Sequence, residues 1–129
     1  MTRAVLDASA LLAMLLAEPG EDQVRAVLPA CAISTVNLSE VVGHFARQGA
    51  KPAEIRGVLD RVPLERVDFD EDLAYAAGLL IGTTRAAGLS FGDRACLALA
   101  RRLNVEALTA DRAWASIADN ADVAVRVIR

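Results

Sequence analysis

The chain has 129 residues, 54% hydrophobic and 24% charged, with a formal net charge of −3. That size and apolar content suit a single domain, residues 1–129, with its own core, and exclude a disulfide scaffold: Cys31 and Cys96 form no CxxC and read as buried free thiols in a reducing cytoplasm. The acidic balance excludes a global basic field, so any nucleic-acid contact must be local; of the 14 basic residues all but Lys51 are arginine, which suits bidentate phosphate contacts.

In chain order, short apolar runs predict strands over about 3–7, 30–34, 64–68, 105–109 and 123–128. Longer helical patterns lie between them, at about 9–17, 20–28, 37–48, 53–61, 70–86, 91–103 and 112–118. Gly20, Gly49 with Pro52, Pro63 and Gly88 punctuate the sequence. This alternation predicts an α/β fold of three layers, a mostly parallel central sheet of about five strands flanked by helices. The first helical segment is apolar on every side from Ala10 to Ala17, more than one core face requires. It is either a central helix covered on both sides by this domain or a surface for a partner chain. It is not read as a signal peptide, because Asp7 interrupts the apolar stretch, Glu18-Pro19-Gly20 offers no small-x-small cleavage site, and removal would delete the first strand. No run reaches the roughly 18 apolar residues of a membrane helix.

Four acids fall where such a sheet binds ligands, at the carboxyl ends of strands and the amino ends of the following helices. Asp7 ends Ala4-Val5-Leu6, and Asp111 follows Ala107-Leu108-Thr109. Glu40 stands three residues after Asn37, a capping-box spacing, and Asp93 stands three after Ser90. Each alone reads as a helix cap. Together they are a problem in electrostatics: two carboxylates about 5 Å apart at an effective dielectric of about 20 repel by roughly 3 kcal/mol, so a cluster of four takes up protons or binds a hard divalent cation.

Much other chemistry is excluded. His44 is the only histidine and reads as a packing or surface residue; no serine or cysteine has the surroundings of a nucleophile triad; no GxxxxGK[ST] or GxGxxG occurs. The run Asp68, Asp70, Glu71, Asp72 reads as a helix start favoured by the macrodipole. Asp119 and Asp122 read as loop residues before the last strand.

The four acidic segments, in order, resemble the PIN domain, and within it the VapC-type toxins of bacterial toxin–antitoxin pairs. Val5-Leu6-Asp7-Ala8-Ser9 is similar to the family's opening Asp-x-Ser, and Asn37-Leu38-Ser39-Glu40 to its helix-borne glutamate. Ser90-Phe91-Gly92-Asp93 is similar to its central aspartate, and Leu108-Thr109-Ala110-Asp111 to its Thr-x-Asp. The resemblance implies that Asp7, Glu40, Asp93 and Asp111 form a catalytic quartet holding Mg²⁺ or Mn²⁺, with Ser9 and Thr109 as supporting hydroxyls. It implies a cytoplasmic endoribonuclease leaving a 5′-phosphate and a 3′-hydroxyl, a homodimer, and a VapB-type antitoxin as partner. The RNA preference comes from the resemblance alone, since attack by water makes no use of a 2′-hydroxyl. Arg47, Arg94 and Arg112, close in sequence to the acids, are candidate phosphate contacts. The alternatives are a PIN fold that has lost catalysis and only binds, and a phosphatase or receiver domain. The last normally wants a lysine near its aspartate, whereas Lys51 is far in sequence from every candidate acid.

Overall fold

The computed structural model describes residues 1–84 and 88–129. Strands β1 (Ala4–Leu6), β2 (Cys31–Ser34), β3 (Glu65–Val67), β4 (Glu106–Thr109) and β5 (Val125–Val127) form one sheet in the order β3-β2-β1-β4-β5. Every pairing is parallel, and β1 sits in the middle with Leu6 opposite Leu108. Around the sheet lie helices α1 (Ala8–Leu15), α2 (Glu21–Val27), α3 (Thr35–Arg47), α4 (Pro52–Leu59), α5 (Glu71–Leu79), α6 (Ile81–Thr84), α7 (Phe91–Leu103) and α8 (Ala118–Ala121). Single 3-10 turns occupy Leu28–Ala30 and Arg112–Ser116.

The three central strands, β2, β1 and β4, are apolar at successive positions because both faces are covered. Ala4, Leu6, Cys31, Ile33 and Leu108 point into a core with Leu11, Met14, Val24, Val41, Ile55 and Leu59 from the first four helices. The alternate residues Val5, Ala32 and Ala107 point the other way, onto Leu73, Ala77, Cys96, Leu97 and Leu99 of α5 and α7, and onto Trp114 and Ile117. The chain runs outward from β1 through β2 to β3, then crosses to β4 on β1's other flank. The gap between β1 and β4 is therefore the switch point at whose carboxyl edge such sheets bind ligands.

Local chemistry shifts several predicted boundaries. The helix predicted over 37–48 begins at Thr35, because Ser34 at the end of β2 is its cap and Ser34 Oγ accepts from the Val36 N–H at 3.2 Å. Asn37 is thus inside the helix, and the capping box read at Asn37 and Glu40 does not form. The segment predicted over 70–86 is capped by Asp70, whose Oδ1 accepts from Leu73 N–H at 2.9 Å, and divides at Leu80 into α5 and α6; positions 85 and 86 lie outside the described residues. The segment over 112–118 is the 3-10 turn Arg112–Ser116 followed by α8. The apolar first helix is spent largely on this domain. Ala10, Leu11, Ala13 and Met14 are buried, Leu12 and Leu15 are half-buried, and only Leu16, which caps the helix, is an exposed leucine there. No helix among the described residues is long and apolar enough to cross a membrane.

The carboxyl-terminal residues close onto the start of α2. Gly20 adopts φ +98°, and a Cβ there would lie 2.7 Å from the Ile128 carbonyl oxygen. Gly20→Ala should therefore destabilise the fold by about 1–3 kcal/mol through strain and displacement of Ile128. Gly57→Ala, in an open position on α4, should stabilise it by up to about 1 kcal/mol through helix propensity. Urea unfolding of the two variants checks the opposite signs.

Candidate active site

Asp7 is the first residue past β1 and is only 6% exposed. Its backbone N–H continues the ladder to Leu108 O at 3.1 Å, and its side chain caps α1, Oδ1 accepting from Ala10 N–H at 2.8 Å. Two hydroxyls complete the cage: Ser9 Oγ donates to Oδ1 at 2.7 Å and Thr109 Oγ1 donates to Oδ2 at 2.6 Å. With both protons so used, the two hydroxyl oxygens are left as acceptors. Ser9 Oγ accepts from Ala110 N–H at 2.9 Å and Thr109 Oγ1 from Asp111 N–H at 3.0 Å. The end of β1, the start of α1 and the turn after β4 are thereby joined through one carboxylate.

Burial wins over these hydrogen bonds in setting the charge of Asp7. Desolvation pushes its pKa up to about 6, the bonds from Thr109, Ser9 and Ala10 pull it down, and the Asp93 carboxylate pushes it up again. A fully buried thiol lies under the same edge. Burial raises the Cys96 pKa well above its ordinary value, and Asp7, Asp93 and Glu40 each push it in the same direction. Three of the four acids therefore exert their field on one point. Both cysteines are buried and free.

Glu40 sits on an outward face of α3. Asn37 Nδ2, one turn earlier and buried, donates to Glu40 Oε1 at 2.8 Å and to the Gly92 carbonyl at 3.0 Å. The amide cannot be reversed, because its oxygen would then face two acceptors; Oδ1 is left buried with no donor among the described residues. Gly92 is the other half of this seat: a Cβ there would fall 2.6 Å from the Glu40 carboxyl carbon. Asp93 forms the capping box expected of Ser90-x-x-Asp93. Ser90 N–H donates to its Oδ2 at 3.0 Å, and its own N–H donates to Ser90 Oγ at 3.2 Å. Exposed Asp111 caps the 3-10 turn, Oδ1 accepting from Ala113 N–H at 2.9 Å. The sequence offers Asn37 only as a cap and gives Gly92 no role, because their bridging roles depend on a contact across 55 positions. A glycine immediately before an acid in a helix's first turn was the only local sign.

The acids share an edge, but their side chains do not converge. Among the described residues no group of three or more acidic, histidine or cysteine side chains could hold a metal ion as placed. Each carboxylate is instead turned onto an N–H or O–H of its own helix start, the arrangement that like-charge repulsion favours. The donor set nonetheless fits a hard cation. None of the four has an ion-pair partner among the described residues, whereas Glu18, Glu21, Asp70, Glu106 and Asp122 all do. Glu40 Oε2, Asp93 Oδ1 and Asp111 Oδ2 carry no hydrogen bond among the described residues.

The candidate arginines differ. Arg94 is half-buried, and its Nη1 donates to the Ala77 carbonyl at 3.1 Å, tying α7 to α5. The structure thus gives this guanidinium one internal partner. Arg112 is exposed, and its Nε donates to the Arg129 carbonyl at 3.1 Å. Arg47 is exposed at the far end of α3, its Nη1 turned back toward Gly43, on the helix face that also carries Glu40. Asp122 pairs with Arg101 at 3.8 Å, away from this edge, and the Asp119 side chain lies outside the described residues. His44 packs edge-on against Phe45 with ring centroids 5.5 Å apart.

The chain belongs to the PIN domain family, whose model matches residues 4–120. Among solved structures, the DNA-bound VapBC from Salmonella typhimurium is similar with TM-score 0.74 and 16% identity over 98% of each chain. A toxin–antitoxin complex from Klebsiella pneumoniae gives 0.69 and 21% over 88% of this chain and 92% of that one. FitAcB from Neisseria gonorrhoeae gives 0.65 and 20% over 95% of each. At these identities the likeness is one of fold. No curated protein matches the chain.

Two outcomes follow from this geometry. Asp7 holds its proton more tightly folded than unfolded, so the metal-free protein should lose stability as pH rises from about 4 to about 6. The shift from 3.8 to about 6 corresponds to about 3 kcal/mol. Denaturant unfolding in EDTA, parent minus Asp7→Asn, should show that fall; a difference independent of pH would refute it. Gly92→Ala should leave the melting temperature within a few degrees while displacing the Glu40 carboxylate, since the clashing atoms are the end of a flexible side chain. Chemical-shift changes at Asn37 and Glu40 without loss of the folded spectrum are the expected result.

Proposed function

We propose that this chain is a metal-dependent endoribonuclease and the toxin half of a toxin–antitoxin pair. One observation carries the reading: a buried carboxylate, Asp7, is built into the switch point of a parallel sheet without a basic partner, and three more unpaired acids flank it. Structures that bury a charge this way normally supply its counter-charge. Asp7, Glu40, Asp93 and Asp111 would hold Mg²⁺ or Mn²⁺. When bound, that ion supplies Lewis-acid activation of water and stabilises the charge gathering on a phosphodiester.

The chain's own residues do the positioning. Ser9 and Thr109 fix the Asp7 carboxylate plane, Asn37 holds Glu40 through one oxygen, and Ser90 holds Asp93 through one oxygen. The free oxygens Glu40 Oε2 and Asp111 Oδ2 belong to exposed residues and are able to accept a proton from an attacking water. Arg47 and Arg112, both exposed, are the guanidinium groups open to a phosphate backbone.

The partner reading is supported by shape. A cavity of about 640 Å³ between α3 and α4 is lined chiefly by Leu38, Val42, Ala46, Pro52, Ile55 and Leu59. It is apolar enough to seat the anchors of an antitoxin segment. The similar structure from Klebsiella pneumoniae is a toxin–antitoxin complex by name. A homodimer is part of the same proposal.

The test pairs binding with cleavage. Mn²⁺ at a hundredfold excess over its Kd should stabilise the fold by about 2.7 kcal/mol in thermal melts. Asp7→Asn and Asp93→Asn should abolish that gain and lower cleavage of a single-stranded RNA by on the order of a hundredfold or more. Unchanged melts across a wide Mn²⁺ range, or either variant cutting at the parent rate, would overturn the assignment.

A further inference from the structure

Phe91 is an aromatic ring that the fold leaves half open. It occupies the first position of α7, directly before Gly92 and Asp93, and is 52% exposed although its helix is otherwise buried along Gly92, Ala95, Cys96 and Leu99. The ring is held in place all the same. Phe69 forms a T-shaped pair with it, centroids 5.4 Å apart and planes at 86°, and the Arg94 guanidinium carbon, bonded on to Ala77, lies over the ring 5.9 Å from its centroid.

The ring borders an open cleft of about 600 Å³ whose other walls are Thr35, Val36, Ser39, Glu40, Ser90 and Gly92. One cleft therefore combines an aromatic wall, three hydroxyl side chains and a carboxylate of the candidate catalytic set. Hydroxyls both donate and accept, so they can meet the edge of any base, while an immobilised π surface binds a planar base with little loss of conformational freedom.

We propose that this cleft is a nucleobase subsite in which Phe91 stacks on a base of the substrate strand next to the cleaved phosphate. The inference rests on the nuclease reading, since Glu40 is what joins the cleft to the reaction. It gives the site an affinity for single-stranded RNA that a chain of net charge −3 does not obtain from its overall field. A duplex, whose bases are stacked on each other, cannot present one to this wall.

The test measures affinity of a fluorescein-labelled single-stranded RNA octamer by anisotropy, with Asp7→Asn as the non-cleaving background. Phe91→Ala and Phe91→Leu should each weaken binding about 5- to 150-fold, while Phe91→Trp should retain it. Because Trp114 is fully buried, the new indole should also report stacking by quenched fluorescence. Octamers with a single abasic position, moved along the strand, should lose the same factor at one position against the background protein and none against its Phe91→Ala version. In otherwise native protein, Phe91→Ala should raise KM with kcat little changed. Equal affinity for Phe91→Ala and its background, or loss in Phe91→Ala but not Phe91→Leu, would overturn the stacking role. Altered oligomeric state by light scattering with RNA affinity intact would assign the ring to a protein contact and equally overturn it. If neither the background protein nor the parent with Ca²⁺ in place of Mn²⁺ binds RNA at all, the nuclease reading fails with it, a result distinct from an effect confined to Phe91.

Discussion

The burial of the Asp7 carboxylate is the constraint on which the rest of the site depends. A carboxylate at the end of the central strand, enclosed by sheet and helices, must satisfy its lone pairs from protein donors or stay protonated. Ser9, Ala10 and Thr109 supply those donors, and in doing so fix how α1 leaves β1 and how the chain turns after β4. The hydroxyls then accept from the Ala110 and Asp111 N–H groups, so Asp111 is placed by the same network that holds Asp7. The cage lowers the cost of the charge without cancelling it, and the folded protein keeps an electrostatic deficit.

The other two acids reach this edge by a different device. Glu40 and Asp93 stand on α3 and α7, elements 55 residues apart at Asn37 and Gly92, and the Asn37 amide bridges them. Gly92 lets the Glu40 carboxylate approach α7 backbone that any side chain would block. Every acid doubles as a helix cap or is held by a residue of its own helix. Metal-free, each has an N–H or O–H donor to rest on, which allows four like charges to share an edge without unfolding it.

What could be read from sequence was what local chemistry encodes. Strand runs such as Val5-Leu6 and Ala107-Leu108 are apolar at consecutive positions because both sheet faces are covered, and Ser90 with Asp93 is a genuine capping box. What could not be read was long-range. Ser34 outcompetes Asn37 as the cap of α3, which frees Asn37 to reach across to Gly92. The bond from Arg94 to the Ala77 carbonyl on a neighbouring helix is another such contact. The surplus apolar character of α1 is absorbed mostly by α2, α3 and the sheet, and the open apolar cavity appears between α3 and α4, where the amphipathic pattern of α3 alone gave no indication of it.

We propose that the four edge acids share a divalent cation although their side chains do not converge without one. Anomalous diffraction from crystals grown in Mn²⁺ tests it directly. The predicted result is an anomalous peak at the carboxyl edge between β1 and β4, bonded to Asp7 and to at least one of Glu40, Asp93 and Asp111, with the exposed carboxylates turned away from their capping N–H groups. Crystals with Mn²⁺ bound only elsewhere, and with all four caps as described, would contradict it.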